Sequence, residues 1–206
     1  MKAPRNVKRV TRRSPEPLPL GEFLEDQVAA SGDLDGLALP LAGAEAKLPL
    51  DLKQRLLSSI GREHRFGVFE QRFSELFDLP ESVAGVLLGR LDSKEHWTTL
   101  EIPGVELFHF DGGPRVRDAI TGFVRIDSGA SFPMHEHVGH ERVLVMQGVL
   151  RDDDGELYFP GDEIEMDADS THSLSSSGAV PLVFATIVMK GIKIDGQLIL
   201  PGDPRA

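Results

Sequence analysis

Residues 129 to 148 read GASFPMHEHVGHERVLVMQG, and the rest of the chain is best understood from there. Gly129 is followed by His135 and His137, then by Glu141 and Gly148. Side chains alternate between the two faces of a strand, so His135 and His137 point the same way and can offer two imidazole nitrogens to one point. Pro133 suits the start of a strand, and Gly139 lets the chain turn after His137. Glu141 then opens ERVLVMQG, whose Val143, Leu144, Val145 and Met146 predict a buried return strand that supplies the third ligand of a hairpin. Further on, a turn and a short strand, FPGDEIEMDADST, lead to His172. Three histidines and a glutamate make a nitrogen and oxygen site suited to zinc, iron, manganese, nickel or copper.

Composition narrows the setting of such a site. The 206 residues include 40% hydrophobic ones, enough for one ordinary domain with a real core and a smaller appendage. No apolar run approaches the roughly 18 residues of a membrane helix, and MKAPRNVKRVTRRSP lacks the apolar stretch of a secretory signal, so a soluble cytoplasmic protein is expected. The chain has no cysteine, which excludes disulfides, thiolate catalysis and cysteine metal sites. Formal net charge is −11, although Lys2, Arg5, Lys8, Arg9, Arg12 and Arg13 stand among the first thirteen residues, which hold no acid. The body should therefore repel nucleic acid, and the basic tip reads as a solvated tail.

Periodicity divides the chain into three parts. Residues 1 to 45, with Pro15, Pro17, Pro19 and Pro40 and one short apolar piece, GEFLEDQVAA, predict a flexible tail. Residues 46 to 95 predict a helical module. Its first helix carries Leu52, Leu56, Leu57 and Ile60, and its second Phe66, Phe69, Phe73, Leu76 and Phe77. A third is expected to be capped by Asp78, to start near Pro80 and to bury Val83, Val86, Leu87 and Leu91. Three short helices cannot bury four phenylalanines among themselves, so this stripe must pack on the following domain or on a partner. ESVAGVLLGRL offers only Arg90 as a cation, which argues against a helix-turn-helix that reads bases. From residue 96 to 206 the period drops to two. WTTLEI, GVELFHF, ITGFVRI, the hairpin ERVLVMQGVLRDDDGELYF, DEIEM, PLVFATIVM and GIKIDGQLIL predict an antiparallel barrel or sandwich.

Other polar residues read as scaffold. His140 precedes Glu141 by one position and should face the opposite side, as a rim or surface group. His109 alternates with Phe108 and Phe110 and reads as a hydrogen-bonded core or surface histidine, ahead of the alternative that it lines the barrel pocket. Asp152, Asp153, Asp154 and Gly155 fit a hairpin turn better than a calcium loop. Glu163 and Glu165 alternate with Ile164 and Met166 as on a half-exposed strand. There is no nucleophile elbow, phosphate-cradling loop or dinucleotide fingerprint, so any chemistry falls to the metal.

The spacing Gly129, His135, His137, Glu141, Gly148 resembles the first motif of the cupin family: Gly, five residues, His-x-His, three or four residues, Glu, six residues, Gly. Gly161 and His172 match the spacing of the second motif, with Asp167 and Asp169 in place of its Pro and second Gly. The resemblance implies a mainly β cupin jelly roll holding one divalent metal at His135, His137, Glu141 and His172, with zinc favoured and iron, manganese or nickel as alternatives. Residues 100 to 190 look most like the cupin domain of ChrR-type anti-sigma factors, and LPLDLKQRLLSSI looks like the linker helix of such proteins. That family's N-terminal His-x3-Cys-x2-Cys zinc motif is absent. The resemblance implies a stress-sensing regulator whose helical module meets a sigma factor, another protein or a second copy of the chain. The alternative it leaves open is a mononuclear divalent-metal dioxygenase or isomerase acting on a small molecule.

Overall fold

The period-two segments fold into two antiparallel sheets, and in both the alternation decides which side chains meet. The structure, a computed structural model, describes residues 8–12 and 65–203. The helix expected over residues 52 to 60, the GEFLEDQVAA piece and most of the predicted tail lie outside the described residues.

The strands are β1 (Lys8–Thr11), β2 (Thr98–Thr99), β3 (Val105–His109), β4 (Ala119–Ile126), β5 (Ser131–His137), β6 (Glu141–Gln147), β7 (Leu150–Asp152), β8 (Leu157–Tyr158), β9 (Glu163–Met166), β10 (Thr171–Ser176), β11 (Leu182–Met189), β12 (Ile192–Ile194) and β13 (Gln197–Ile199). One seven-stranded sheet has the order β1-β9-β6-β11-β4-β3-β2, and the facing six-stranded sheet the order β13-β12-β5-β10-β7-β8. Two helices, α1 (Glu70–Phe77) and α2 (Glu81–Gly89), precede most of the strands. The architecture is mainly β, a jelly roll with a small helical element.

Two apolar layers hold this together. Between the sheets, Val124, Val143, Val145, Ile164 and Phe184 from the first pack with Leu150, Tyr158 and Leu174 from the second. On the outer face of the seven-stranded sheet, Phe108, Phe123, Leu144, Met146, Ala185 and Ile187 pack with the helices. The central strand β11 is thus covered on both sides, which is why LVFATIVM shows a nearly unbroken apolar run instead of alternation. Phe73 stacks on Phe123 at 5.1 Å between centroids and meets Phe110 at 5.3 Å. Burying each such ring contributes about 1.5–3 kcal/mol. Arg72 adds a polar tie, donating to Glu163 on β9 and, from Nη1, to the Gly161 carbonyl at 2.7 Å.

Several local expectations change. The phenylalanine stripe is absorbed by the sheet, with Phe66, Phe69, Phe73 and Phe77 all buried. In α2 the buried set is Ala84, Leu87 and Leu88, continued by Leu91 just beyond its end, whereas Val83 and Val86 are exposed. The apolar stripe keeps its 3, 4, 7 spacing but starts at the small Ala84, which allows close packing. Asp78 does not cap α2 at its start. It ends α1 in the left-handed conformation (φ 56°), and its carboxylate accepts from the backbone and side chain of Arg115. Within the predicted tail, Lys8 to Thr11 form a strand on the edge of β9, Lys8 opposite Met166.

The two hairpins read from the sequence are instead sheet crossings. β5 pairs with β10 and β12, while β6 pairs with β11 and β9. Gly139 makes the first crossing: a Cβ there would stand 2.4 Å from the Met189 carbonyl oxygen, so only glycine lets the corner close against β11. Gly148, at φ +75°, makes the second crossing, from β6 to β7. Only the β7 and β8 portion of the longer segment pairs as a hairpin, Leu150 opposite Tyr158.

Candidate metal centre

The first crossing is what assembles the site. His135 and His137 leave β5 on one face and are both buried, and Glu141, the first residue of β6, meets them from the opposite sheet. β10 places His172 directly opposite His135. One donor atom from each of these four buried residues lies within 4.8 Å of the others. His135 Nε2 and His172 Nε2 are 3.0 Å apart, His137 Nε2 is 3.1 Å from Glu141 Oε2, and His172 Nε2 is 3.6 Å from the same oxygen. Ligand atoms about 2.0–2.2 Å from a shared ion are separated by similar distances.

Each outward nitrogen has its own acceptor. His135 Nδ1 faces the Pro133 carbonyl at 3.0 Å, His137 Nδ1 the Ser170 hydroxyl at 3.0 Å, and His172 Nδ1 the Asp152 carboxylate at 3.2 Å. Ser170 in turn donates to the Asp167 carbonyl at 2.6 Å, so its oxygen is free to accept from the ring. Protons held on the three Nδ1 atoms leave three Nε2 lone pairs converging on one point. Thr186 donates to Glu141 Oε1 at 2.8 Å, which turns Oε2 toward the same point. His137 Nε2 and Glu141 Oε2 are buried without a hydrogen-bond partner. Such atoms are costly unless a cation satisfies them, so the residues fit a divalent metal ion.

The electrostatics agree. Burial pushes the His135 imidazole down to about 4, helped by the neighbouring His172, so it stays a neutral donor. Burial would raise the Glu141 carboxyl, but His137 and His172 outweigh it and hold the group well below its usual range. For His172, burial is overcome by the Asp152 and Glu141 carboxylates, which raise it to about 9.

The turn before His172 departs from a Gly-containing loop in a defined way. Asp169 takes the left-handed conformation at φ 62°, which Asp tolerates better than most residues. Its backbone N–H donates to the His137 carbonyl at 2.9 Å, and His137 N–H donates to the Ser170 carbonyl, also at 2.9 Å. The turn is thereby pinned to the strand that carries two ligands.

His135 and Glu141 also line a cavity of about 640 Å³, walled largely by apolar side chains such as Leu107, Ile120, Phe132, Phe184, Val188 and Ile192. His109 lines it as well, on an exposed part of β3. His140 lies outside the cluster, exposed and 3.5 Å from Asp167. Asp152, read from the sequence as part of a surface turn, is buried behind His172, and Thr186 and Ser170 were not singled out at all. Asp152 stands in a local acidic run, but Thr186 and Ser170 carry no spacing signal because their partners are distant in the chain.

The family model described as the ChrR cupin-like domain matches residues 90–186. Among solved structures, the complex of Rhodobacter sphaeroides SigE with the anti-sigma ChrR matches at 22% identity, over 82% of this chain and 83% of that one, with a TM-score of 0.46. An acetylacetone dioxygenase from Acinetobacter johnsonii matches at 16% identity, over 52% and 78%, with a TM-score of 0.43. An RmlC-like cupin protein from Ralstonia eutropha matches at 20% identity, over 50% and 70%, with a TM-score of 0.42. No curated protein sequence is significantly similar to the chain. No helix among the described residues is long and apolar enough to cross a membrane.

Proposed function

We propose that the chain is a cupin-superfamily protein close to the ChrR-type cupin domain, a reading supported by the family model over residues 90–186, and that it is a metal-binding regulator in the cytoplasm. His135, His137, Glu141 and His172 hold one divalent ion, with zinc the favoured metal, and the state of that site governs contact with a protein partner. A sigma factor is the partner that the ChrR family suggests. The observation that carries the reading is the four-residue donor set with every outward nitrogen anchored. Four protein ligands complete a tetrahedral zinc shell, which favours structure and sensing over turnover. With no cysteine in the chain, an oxidative signal would have to act on the metal, on a histidine, or on Met134 or Met146.

One observation favours a second reading. The apolar cavity reaches His135 and Glu141, as a substrate pocket would in a dioxygenase or isomerase, where octahedral iron keeps positions open beyond four protein ligands. The two readings separate in one set of measurements. The full chain is purified without a tag, its metal is quantified, and binding to sigma factors of the source organism is compared for zinc-loaded, chelator-stripped and peroxide-treated protein. A regulator changes its partner binding with the state of the site. Steady oxygen uptake by the iron-loaded protein on small diketones or phenols, with partner binding indifferent to metal, would establish the enzyme instead.

A further inference from the structure

Asp152 links the metal centre to the first described strand. Its Oδ1 faces His172 Nδ1 at 3.2 Å, while its Oδ2 accepts from Lys8 Nζ on β1. The Asp152 side chain is 2% exposed and that of Lys8 12%. Burial alone would raise the Asp152 carboxyl, but His172 and the Lys8 ammonium hold it well below its usual range. Lys8 also reaches Asp154 at 2.9 Å. A second route runs across the sheet: Lys8 is opposite Met166 on β9, and Met166 is opposite Glu141 on β6. One residue of β1 therefore stands behind two of the four ligands.

Among the described residues, β1 is otherwise held by its antiparallel ladder on β9 and by Val10 against the core between the sheets. It is a four-residue edge strand, and such a short strand is marginal by itself. Its other ion pairs, Arg9 with Glu165 at 3.8 Å and Arg12 with Glu156 at 3.1 Å, are solvent-exposed and worth little. The Lys8 to Asp152 pair differs because losing one partner leaves a buried charge uncompensated. Detaching β1 would strip Asp152 of its lysine, leave Oδ2 buried without that partner and loosen the carboxylate that orients His172.

We infer that β1 and the metal centre are reciprocally coupled, with Lys8 and Asp152 as positioning residues: docking of β1 on β9 tightens metal binding, and metal binding tightens the docking of β1. The inference rests on the metal reading given above. Occupancy of an ion inside the barrel is thereby reported at its surface, as the presence or absence of a strand along β9. By linkage, the two effects share one factor.

The test uses the full chain and zinc ions. Zinc affinity is measured by chelator competition for the wild type, Lys8→Met and Lys8→Arg, and hydrogen exchange of residues 8 to 11 is followed with and without zinc. Lys8→Met keeps the stem but not the charge and should weaken zinc binding about tenfold, the lower end for losing an outer-shell partner. Lys8→Arg should restore most of the affinity. In the wild type, zinc should slow exchange in residues 8 to 11 by a factor of the same order, a readout that stands even if a variant folds poorly. Zinc affinity equal in Lys8→Met and wild type, or exchange in β1 indifferent to bound zinc, overturns the coupling. A wild type that takes up no zinc overturns the metal reading, and the coupling with it.

Discussion

At the scale of single side chains, position on the strand decides whether a histidine faces the cluster. His137 is fully buried and aimed at the cluster, whereas His140, three residues on, is exposed beside Asp167. His137→Ala should abolish stoichiometric zinc binding, and His140→Ala should leave it within about twofold, since surface changes away from a site have small effects. Metal analysis of dialysed protein distinguishes the two. Thr186 offers a finer test. Thr186→Val removes the 2.8 Å bond to Glu141 Oε1 and leaves a buried carboxylate oxygen unpaired. We expect zinc affinity to fall about 10 to 100-fold in a chelator titration, the usual effect of losing a second-layer partner. The four clustered residues were legible in the sequence because strand alternation and turn glycines are local signals. Lys8, Asp152 and Thr186 were not, because what defines them is a partner tens of residues or more away: 144 separate Lys8 from Asp152, and 45 separate Thr186 from Glu141.

Among elements, the corner at Gly139 and the packing of α1 carry most of the architecture. Gly139→Ala drives a Cβ into the Met189 carbonyl and should cost about 1–3 kcal/mol in urea unfolding, as overpacking does. Phe73 is fully buried among Phe77, Phe110 and Phe123. Phe73→Ala should cost about 3–5 kcal/mol, the range for a core phenylalanine. Val86→Ala, on the exposed side of α2, should change stability by no more than about 0.5 kcal/mol. Equal losses from the two would mean that α1 and α2 do not pack as described. Strand existence could be read from period two, but period two cannot say which sheet a strand joins. For that reason the β5 to β6 and β6 to β7 corners look like hairpins in the sequence, whereas β6 pairs with β11 and β9. The α2 stripe slipped by a residue for a related cause. Val83, Ala84, Val86, Leu87 and Leu88 are nearly all apolar, so the run contains more than one plausible face.

For the molecule as a whole, an ion at the proposed site would join the two sheets, since Glu141 belongs to one and the three histidines to the other. Binding to the folded state alone stabilises it by mass action. Zinc at a hundred times its dissociation constant should add about 2.7 kcal/mol. A chelator should remove that gain, and calorimetry with and without zinc measures it. An unchanged melting temperature at saturating zinc would contradict a site shared between sheets. The place of β1 also has a consequence for the order in which the protein is made. Lys8 is translated 144 residues before the aspartate it pairs with, which at roughly 5 to 20 residues per second is a delay of about 7 to 30 s on the ribosome. The first of the described strands must therefore wait without its aspartate until Asp152, and then the β9 edge it pairs with, have followed it in the chain.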